Sequence, residues 1–434
     1  MKSARAIPTE KIIQRLQFEN PWWRTGQIQQ DLMDLPRRLY FQIFWPFVTD
    51  VTIQRAVVLM GPRRVGKTVM MHHCIHGLIN KKITAKKIFF IGIDNPIYMN
   101  IGLEELVNFC MVAADVNIDE AFVFFDEIQY LKDWERHLKI LVDSYPKTKF
   151  IVSGSAAAAL KLKSTESGAG RFTEFMLPPL TFQEYITLKG KGNLILTSDS
   201  PLGIQSKNLK ELNQEFLKYI NYGGYPEVIF SPQIQNNMSR YIKGDIIDKV
   251  LLRDLPSLYG IRDVQELNRF FAYLAYNTGR EFSVERISQE SGVEKSLIKK
   301  YIEYLQAAFL ISVLNKIDEK SAKFTRITYF KIYLTNPSIR SALFSPVDFL
   351  DDEIGAMVET AIFAQWMHQE NATFRYARWK VGRVEGEVDL VSIDPLKQKT
   401  IWCTEIKWSN RYITRPVELK SLIFFCEKNQ LKTA

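Results

Sequence analysis

The segment Gly61-Pro-Arg-Arg-Val-Gly-Lys-Thr68 constrains this chain more than any other feature. It fits the pattern GxxxxGK[ST], in which backbone N–H groups surround phosphates, the lysine reaches the β and γ oxygens, and the last hydroxyl binds Mg²⁺. An apolar run precedes the loop at residues 56–60, and a helical stretch at 69–80 would add the positive end of its dipole. The sequence therefore predicts a site for ATP and Mg²⁺. The residues expected to contact the nucleotide are Gly61, Pro62, Arg63, Arg64, Val65, Gly66, Lys67, Thr68, Val69 and Ser153.

Five short apolar runs separated by helix-length stretches surround this loop. They lie at residues 56–60, 88–93, 121–125, 150–153 and 175–177. Continuous rather than alternating apolarity is typical of strands that are buried on both faces of a parallel sheet. The region is predicted to be an α/β domain with a doubly wound parallel sheet.

Asp126 and Glu127 follow the third run directly. Both carboxylates are expected at the carboxyl edge of the sheet, where α/β proteins bind ligands. Asp126 would hold Mg²⁺, and Glu127 would orient and polarise the attacking water. The alternative is a solvated turn after a strand.

Two further positions are candidates near the nucleotide. Ser153, or Ser155 beside it, ends the fourth run and could touch the γ-phosphate or the lytic water. Arg171 is the candidate for an arginine that stabilises transition-state charge, in cis or across a subunit interface. For Arg171 a structural ion pair or a polyanion contact is an equal alternative, because arginine serves all three purposes.

Length and charge limit the class of protein. A chain of 434 residues is too long for one hydrophobic core and predicts two to four domains. The net charge is +9, and residues 286–340 contain ten Lys and Arg against five Asp and Glu, a candidate positive patch for nucleic acid. No apolar run approaches the roughly 20 residues of a membrane span, and no signal peptide is recognisable, so a cytoplasmic protein is expected. The four cysteines show no CxxC spacing, so neither a zinc site nor a disulfide framework is predicted.

The chain divides by pattern into five segments. We expect an N-terminal arm at 1–50, the P-loop core at 51–189, lid or linker helices at 190–262, a winged helix at 263–335 and a last domain at 336–434. Three helical stretches followed by a β-hairpin favour the winged helix. Its third helix carries Lys295, Lys299 and Lys300, which could face DNA or form a solvated surface, and many winged helices bind proteins instead.

The last segment holds a second set of charged residues. Asp389 lies on one predicted strand and Glu405 and Lys407 on the next, where residues two apart share a face. The set resembles the D…ExK core of restriction endonucleases and junction resolvases, in which two carboxylates bind Mg²⁺ and the lysine assists a metal-activated water. Glu359, in the preceding helix, is placed as a further acid. The alternative is a nuclease-derived domain kept for binding, with the charges as surface ion pairs.

A run of alternating basic and aromatic residues precedes Asp389. It suits a nucleic-acid groove, and it suits an ordinary half-exposed strand equally well. The residues are Phe374, Arg375, Tyr376, Arg378, Trp379, Lys380 and Arg383.

Several phrases together resemble a known family. They are the P-loop, Phe124-Phe-Asp-Glu-Ile-Gln129, Gly170-Arg171 with Leu177-Pro-Pro-Leu-Thr-Phe-Gln-Glu-Tyr185, and Gly223-Gly-Tyr-Pro-Glu227. They look like the AAA-type (AAA+) bacterial and archaeal ATPases that carry a C-terminal domain of unknown function. The resemblance covers nearly the whole chain and implies an AAA+ core, a winged helix, a restriction-endonuclease-like fold and ATP as the nucleotide. Serine stands here at the sensor position where AAA+ proteins usually have asparagine.

Three functional hypotheses follow. The first is an ATPase that acts on DNA through its winged helix and nuclease-like domain. This ATPase could form a homo-oligomer. The second is a nucleotide-dependent switch that controls assembly with a protein partner and has an inactive nuclease-like domain. The third is a Mg²⁺-dependent nuclease gated by ATP.

Overall fold

The protein divides into two compact units, Met1–Leu177 and Pro178–Ala434. The computed structural model describes residues 8–155, 170–197, 204–317, 329–366, 373–381 and 384–431. Arg383 of the basic and aromatic run lies outside these described residues.

The first unit is built on a five-stranded sheet in the order β2-β3-β4-β1-β5, with every neighbouring pair parallel. This confirms the predicted α/β sheet. Its strands are β1 (Ala56–Met60), β2 (Ile88–Gly92), β3 (Phe122–Asp126), β4 (Lys149–Gly154) and β5 (Phe172–Met176). Its helices are α1 (Thr9–Glu19), α2 (Trp22–Thr25), α3 (Gln30–Met33), α4 (Tyr40–Thr49), α5 (Lys67–Asn80), α6 (Leu103–Ala114) and α7 (Trp134–Ser144).

The central strands are apolar because both faces of the sheet are covered. Every residue of β1, β3 and β4 is buried. The segments that follow β1, β3 and β4 therefore start from one edge of the sheet, its carboxyl edge. The P-loop, Asp126 with Glu127, and Ser153 all lie at that edge.

Side chains of the N-terminal segment cover the outer edge of β2. Asn20 donates to the carbonyl of Phe90 at 2.8 Å and accepts from the N–H of Phe90 at 2.7 Å, as a neighbouring strand would. The indole N–H groups of Trp22 and Trp23 both donate to the carbonyl of Ile88, each at 2.9 Å. Because an uncovered strand edge presents unpaired backbone groups, these contacts complete the sheet on this side.

The second unit is mostly helical, with three small sheets. Its strands are β6 (Ile195–Thr197), β7 (Ile204–Ser206), β8 (Glu281–Phe282), β9 (Ile311–Asn315), β10 (Phe330–Leu334), β11 (Thr373–Val381), β12 (Val384–Ile393) and β13 (Thr400–Thr404). Its first helices are α8 (Phe182–Leu188), α9 (Leu209–Tyr222), α10 (Pro226–Phe230), α11 (Pro232–Asn236) and α12 (Leu255–Tyr259), with π-helical turns at Ser239–Asp248 and Val250–Asp254. The later helices are α13 (Val264–Tyr276), α14 (Val284–Ser291), α15 (Lys295–Ala307), α16 (Ser338–Leu343), α17 (Ile354–Trp366), α18 (Arg411–Thr414) and α19 (Lys420–Asn429).

The first unit ends earlier than the predicted P-loop core, at Leu177 rather than residue 189. The reason lies in α8, which begins with a capping box between Thr181 and Glu184. This helix buries Tyr185 and Ile186 in the same apolar cluster as Tyr219 of α9. Residues 178–189 therefore pack in the second unit.

Residues 263–335 contain α13, α14 and α15 with a three-stranded antiparallel sheet in the order β8-β10-β9. These elements agree with the helices and hairpin expected from the sequence. The winged-helix assignment itself stays a prediction.

The last domain has one strand more than predicted. The basic and aromatic run forms β11, which pairs antiparallel with β12, and β12 pairs with β13. β13 ends at Thr404, so the expectation that Glu405 and Lys407 lie on this strand is wrong. They follow it in an irregular segment, because the N–H of Ile406 donates to the Asp389 carboxylate at 2.8 Å instead of continuing the ladder.

Two cysteines that are distant in sequence are neighbours in space. The Sγ atoms of Cys403 on β13 and Cys426 on α19 lie 3.5 Å apart, and both are free thiols. Burial is the main cause that raises the pKa of Cys403, to about 12.

In the described part of the chain, no helix combines the length and the apolar character that crossing a membrane requires.

We expect Asn20→Ala to lower the free energy of unfolding of the first unit by about 1–3 kcal/mol, because buried backbone groups of Phe90 lose their partner. Urea unfolding followed by tryptophan fluorescence measures the change. Thr25→Ala is the matched control, since its hydroxyl is exposed and bonds only locally. Equal stability of both variants and the natural chain would contradict the role given to Asn20.

Candidate functional site

The P-loop runs from the end of β1 into the first turn of α5. Gly61 is required by a close approach, because a Cβ at this position would lie 2.2 Å from the carbonyl oxygen of Leu177. Gly66 has a φ of 94°, in the region that favours glycine, and precedes Lys67 at the start of the helix. Lys67 is buried, and its ammonium donates to the carbonyls of Gly61 at 3.2 Å and Pro62 at 2.9 Å. The loop is thus folded around its lysine.

The Asp126 carboxylate connects three parts of the carboxyl edge. The Thr68 hydroxyl donates to its Oδ2 at 2.7 Å, and the Ser153 hydroxyl donates to its Oδ1. Ser153 in turn accepts from the N–H of Glu127 at 3.0 Å. The P-loop, the end of β3 and the end of β4 are therefore joined through one side chain. Ser153 acts on the acidic pair here, a contact that the sequence does not specify.

Glu127 has an unusual backbone conformation. Its φ is 54° and its ψ is 48°, in the left-handed region that few residues other than glycine occupy. The N–H bond to Ser153 holds this conformation, and the Gln129 amide donates to the Glu127 carboxylate. The amide oxygen of Gln129 accepts from the N–H of Ser155 at 3.2 Å. Strained residues that are fixed in this way concentrate at functional sites.

Burial shifts the ionisation of both key charges. It lowers the pKa of Lys67, against the opposing effect of the Glu127 and Asp126 carboxylates. It raises the pKa of Asp126 to about 6, with the Ser153 and Thr68 hydrogen bonds and Lys67 opposing and Glu127 adding to the shift. A cation at Asp126 would favour the ionised carboxylate. Thr68 and Asp126 supply the oxygen ligands that Mg²⁺ prefers, so the residues present fit this ion.

Two residues of the site were missed from sequence. The buried Arg38 donates to the carbonyl of Val65 at 2.8 Å and so fixes the P-loop from the N-terminal segment. Gln129 orients Glu127. No sequence pattern connects Arg38 to the loop. The signal for Gln129 is only its spacing of two residues from Glu127.

Arg171 lies at the opposite edge of the sheet. It precedes β5, which pairs parallel with β1 so that Phe172 stands opposite Ala56, whereas the P-loop follows Met60 at the other end. The Arg171 guanidinium pairs with Asp143 at 2.5 Å, and both side chains are over 40% exposed. The side chain does not reach the nucleotide edge of its own sheet, so the expected role in cis has no support in this geometry.

A second polar cluster, the acid and lysine cluster, lies in the last domain and contains all four residues predicted there. Asp389 is buried on β12, and Glu405 and Lys407 follow β13. The Lys407 ammonium lies 2.8 Å from the Glu405 carboxylate and 3.8 Å from that of Asp389. Glu359 reaches the same cluster from α17 through Lys331, which contacts both Glu359 and Asp389.

Lys331 and Tyr333 of β10 were missed in the sequence. The Lys331 ammonium lies 2.8 Å from Glu359, 2.7 Å from Glu387 and 3.6 Å from Asp389, and its side chain is 4% exposed. The Tyr333 hydroxyl donates to Glu359. A lysine inside a buried strand was the available signal, because lysine is almost never buried without a charged partner.

Charge balance decides how this cluster ionises. Burial lowers the pKa of Lys331, but the carboxylates of Glu359, Glu387 and Asp389 outweigh it, so the pKa lies above its ordinary value. Burial raises the pKa of Glu359, with Lys331 opposing and Asp389 adding. The acids outnumber the bases by one, since Glu359, Glu387, Asp389 and Glu405 face Lys331, Lys407 and, at Glu387, Arg378.

The carboxylates of this cluster could serve as ligands of a divalent cation. The Glu405 Oε2 atom is buried and has no hydrogen-bond partner. Within the described residues, no three or more His, Cys, Asp or Glu side chains are arranged as a complete metal cage. Mg²⁺ commonly uses only one or two carboxylates and takes its other ligands from water and phosphate. Asp389 and Glu405 therefore fit this ion as a partial site.

The predicted basic surfaces are of two kinds. Lys295, Lys299 and Lys300 are exposed on α15, and Lys295 lies 3.9 Å from Glu285. Arg378 and Lys380 of β11 pair with Glu281 at 3.0 Å and Glu385 at 2.5 Å. The β11 charges are thus mainly matched by acids, which favours the ordinary strand over the groove.

We expect Asp126→Asn to raise the free energy of unfolding above pH 6 by about 3 kcal/mol, since the pKa shift from 3.8 to about 6 corresponds to about two units. A raised carboxyl pKa stabilises the folded state fully below its unfolded value, and this contribution is lost as pH rises through the folded value. The gain should therefore vanish below about pH 4.

Urea unfolding of the natural chain and the variant at several pH values measures this difference. The exposed Asp119→Asn is the control and should show no such pH dependence. A difference that is the same at acid and neutral pH would contradict the ionisation assigned to Asp126.

Comparison with known proteins identifies parts of the chain. Residues 53–186 match the family model described as an AAA domain, and residues 213–349 match a domain of unknown function (DUF8612). An uncharacterized protein of Methanocaldococcus jannaschii is 25% identical over 362 residues, which cover 82% of this chain and 76% of the relative. An uncharacterized protein of Haemophilus influenzae is 24% identical over 292 residues, 65% of this chain and 68% of the relative.

Among solved structures, the ORC1 protein of Aeropyrum pernix in complex with DNA is similar over 74% of this chain and 95% of its own, at 10% identity and a TM-score of 0.30. A similarity this weak supports no functional conclusion. The AAA match covers the P-loop, Asp126, Glu127, Ser153 and Arg171, and neither family model reaches Asp389. Residues 53–186 are thus an AAA-type domain of the P-loop ATPase class.

Proposed function

We propose that the first unit binds and hydrolyses ATP. The observation that supports this most strongly is the linkage of Thr68, Asp126, Ser153 and Glu127 at the carboxyl edge of the sheet. One hydrogen-bonded set contains the residue types that P-loop ATPases use to hold Mg²⁺ and to activate water.

The residues divide the work as follows. The P-loop N–H groups and Lys67 bind the phosphates, for which Lys67 exchanges the carbonyls of Gly61 and Pro62 for phosphate oxygens. Thr68 and Asp126 would hold Mg²⁺, which when bound would neutralise charge on the phosphates. Glu127 accepts the proton of the attacking water, and Gln129 positions its carboxylate. Ser153 bonds the side chain of Asp126 but the backbone of Glu127, which leaves the Glu127 carboxylate available for the attacking water.

We expect Glu127→Gln to lower kcat for ATP at least about 100-fold, because a positioned general base contributes about 100- to 10,000-fold. Binding of ATP should persist, since Glu127 does not bind phosphate. Phosphate release measures turnover and isothermal titration measures affinity. Glu120→Gln, an exposed acid before β3, is the control and should keep full turnover. Full activity of Glu127→Gln would place the base elsewhere.

The second unit favours a second function, hydrolysis of a phosphodiester bond in nucleic acid. The specific observation is the meeting of Asp389, Glu405 and Lys407, with an excess of acid and a buried Glu405 oxygen that lacks a hydrogen-bond partner. Asp389 and Glu405 would hold Mg²⁺, which activates water and stabilises charge on phosphate when bound. Lys407 would contact the phosphate, and Lys331 would keep Asp389 and Glu359 in position.

In this proposal ATP hydrolysis governs how the second unit acts on DNA, with the exposed lysines of α15 as a contact to phosphates. The competing proposal is an assembly switch for a protein partner. The two differ in salt dependence, because contacts to phosphate release counterions and weaken as salt rises.

We expect pure protein with Mg²⁺ to cleave labelled DNA, and Asp389→Ala and Lys407→Ala each to lose this activity by at least about 100-fold, as expected for removal of a metal ligand or a charge that stabilises the transition state. Gel analysis of the products measures cleavage, with and without ATP.

The control is Glu385→Ala, an exposed acid on the same strand as Asp389, which should cleave as the natural chain does. Equal cleavage by all proteins would reveal a contaminating nuclease. No cleavage by the natural chain, together with turnover of ATP that is indifferent to DNA at low salt, would favour the assembly switch.

A further inference from the structure

A cleft of about 610 Å³ opens beside the acid and lysine cluster of the second unit. Glu405 and Lys407 line it together with Phe349, Trp408 and Tyr412. Its volume is in the range of about 300–1,000 Å³ that is typical of pockets for small ligands. The proposed site of phosphodiester hydrolysis thus opens onto a pocket that the hydrolysis itself does not use.

Aromatic rings line part of this Trp408 cleft, and the Trp408 ring packs on two aromatic neighbours. The Trp408 ring is stacked on Phe349, with centroids 5.9 Å apart and an interplanar angle of 7°. Phe216 of α9 packs on Trp408 at 6.2 Å. Tyr412 belongs to α18, which has no buried residue, so it lines the cleft from an exposed element. Preorganised aromatic rings bind the faces of nucleobases with little dependence on base identity.

Polar groups complete the lining. Asn213 and Asn410 face the cleft, and an amide side chain can donate to and accept from the edge of a base. A purely apolar partner would leave these amides without hydrogen bonds. The combination of aromatic rings with a few amides therefore favours a flat heteroaromatic ligand.

One segment beside the cleft is positive, although Glu405 in the lining is an acid that pairs with Lys407. The segment 407–420 contains Lys407, Arg411, Arg415 and Lys420 and one acid, Glu418. Glu418 pairs with both arginines, so the segment keeps a positive excess. Such an excess attracts phosphates that accompany a nucleobase.

We propose that the Trp408 cleft binds one unpaired nucleobase of a nucleic-acid strand, while the phosphate next to that base lies at Lys407. The substrate class is then nucleic acid with a single-stranded nucleotide at the site of action, such as a strand end, a gap or a flap. A base inside a duplex cannot enter the cleft without leaving its stack. This inference rests on the proposed action of the second unit on nucleic acid.

The experiment compares binding of a fluorescein-labelled single-stranded oligonucleotide and its fully paired duplex by fluorescence anisotropy, at low salt and without ATP. We expect the natural chain to prefer the single strand. Tyr412→Ala should weaken single-strand binding about 5- to 150-fold, the effect of losing one stacked base, with little change for the duplex. Tyr412→Ala should unfold at the same urea concentration as the natural chain, which verifies its fold.

The control variant is Phe18→Ala, which removes an exposed aromatic ring from the first unit and should bind both oligonucleotides as the natural chain does. A second measurement needs no variant. A single strand containing 5-iodouracil, irradiated in complex with the natural chain, should form its cross-link at Trp408 or Tyr412, as mass spectrometry of the peptides would show.

The outcomes distinguish binding in the cleft from action of the second unit on nucleic acid. Equal binding of single strand and duplex, unaffected by Tyr412→Ala and with cross-links elsewhere, would overturn the cleft and leave the action on nucleic acid intact. Absence of binding to either oligonucleotide would overturn both. Displacement of the single strand by free nucleoside monophosphate at equal concentration would show a mononucleotide pocket and would overturn the strand as ligand.

Discussion

The hydrogen bonds to the Asp126 carboxylate are the interactions on which the nucleotide edge of the first unit depends. This carboxylate lies at the end of a fully buried strand and is itself buried, yet it accepts hydroxyl hydrogen bonds from Thr68 of the P-loop and Ser153 of β4. Two hydroxyl donors stabilise the ionised form but do not overcome burial, so its pKa rises to about 6. An ionised carboxylate in this position is poised for a cation, because a metal ion would remove the electrostatic penalty that burial imposes.

The acid and lysine cluster of the second unit also contains buried charge, which it stabilises with lysines instead of hydroxyl groups. Buried charges are tolerated only when they are paired, and removing one partner leaves the other uncompensated. Lys331 therefore ties β10, α17 and β12 together through Glu359, Glu387 and Asp389. Lys407 has a more exposed side chain, at 36%, and contacts the Glu405 and Asp389 carboxylates. This difference separates a buried lysine that holds the framework from an accessible one that can meet a substrate.

The sequence predicted the elements of both sites better than their connections. The five strands were recognisable because burial on both faces requires continuous apolar runs, and the P-loop because its backbone geometry requires glycine at fixed spacing. The contact of Ser153 with Asp126 joins residues 27 positions apart, and that of Lys331 with Glu359 joins residues 28 apart, so no local pattern encodes them. The end of β13 at Thr404 was missed because the Ile406 N–H bonds to a side chain, a choice made by tertiary structure.

The position of Arg171 limits how this ATPase could complete its site. Five residues of β5 separate it from the level of the P-loop, and at a rise of about 3.3 Å per residue this amounts to roughly 17 Å. That distance exceeds the reach of an arginine side chain, and the Asp143 pair holds the guanidinium on the exposed surface at the amino edge of the sheet. If Arg171 meets a γ-phosphate, the nucleotide must belong to another copy of the chain. A role for Arg171 in hydrolysis therefore requires an oligomer, whereas a structural ion pair requires only the single chain.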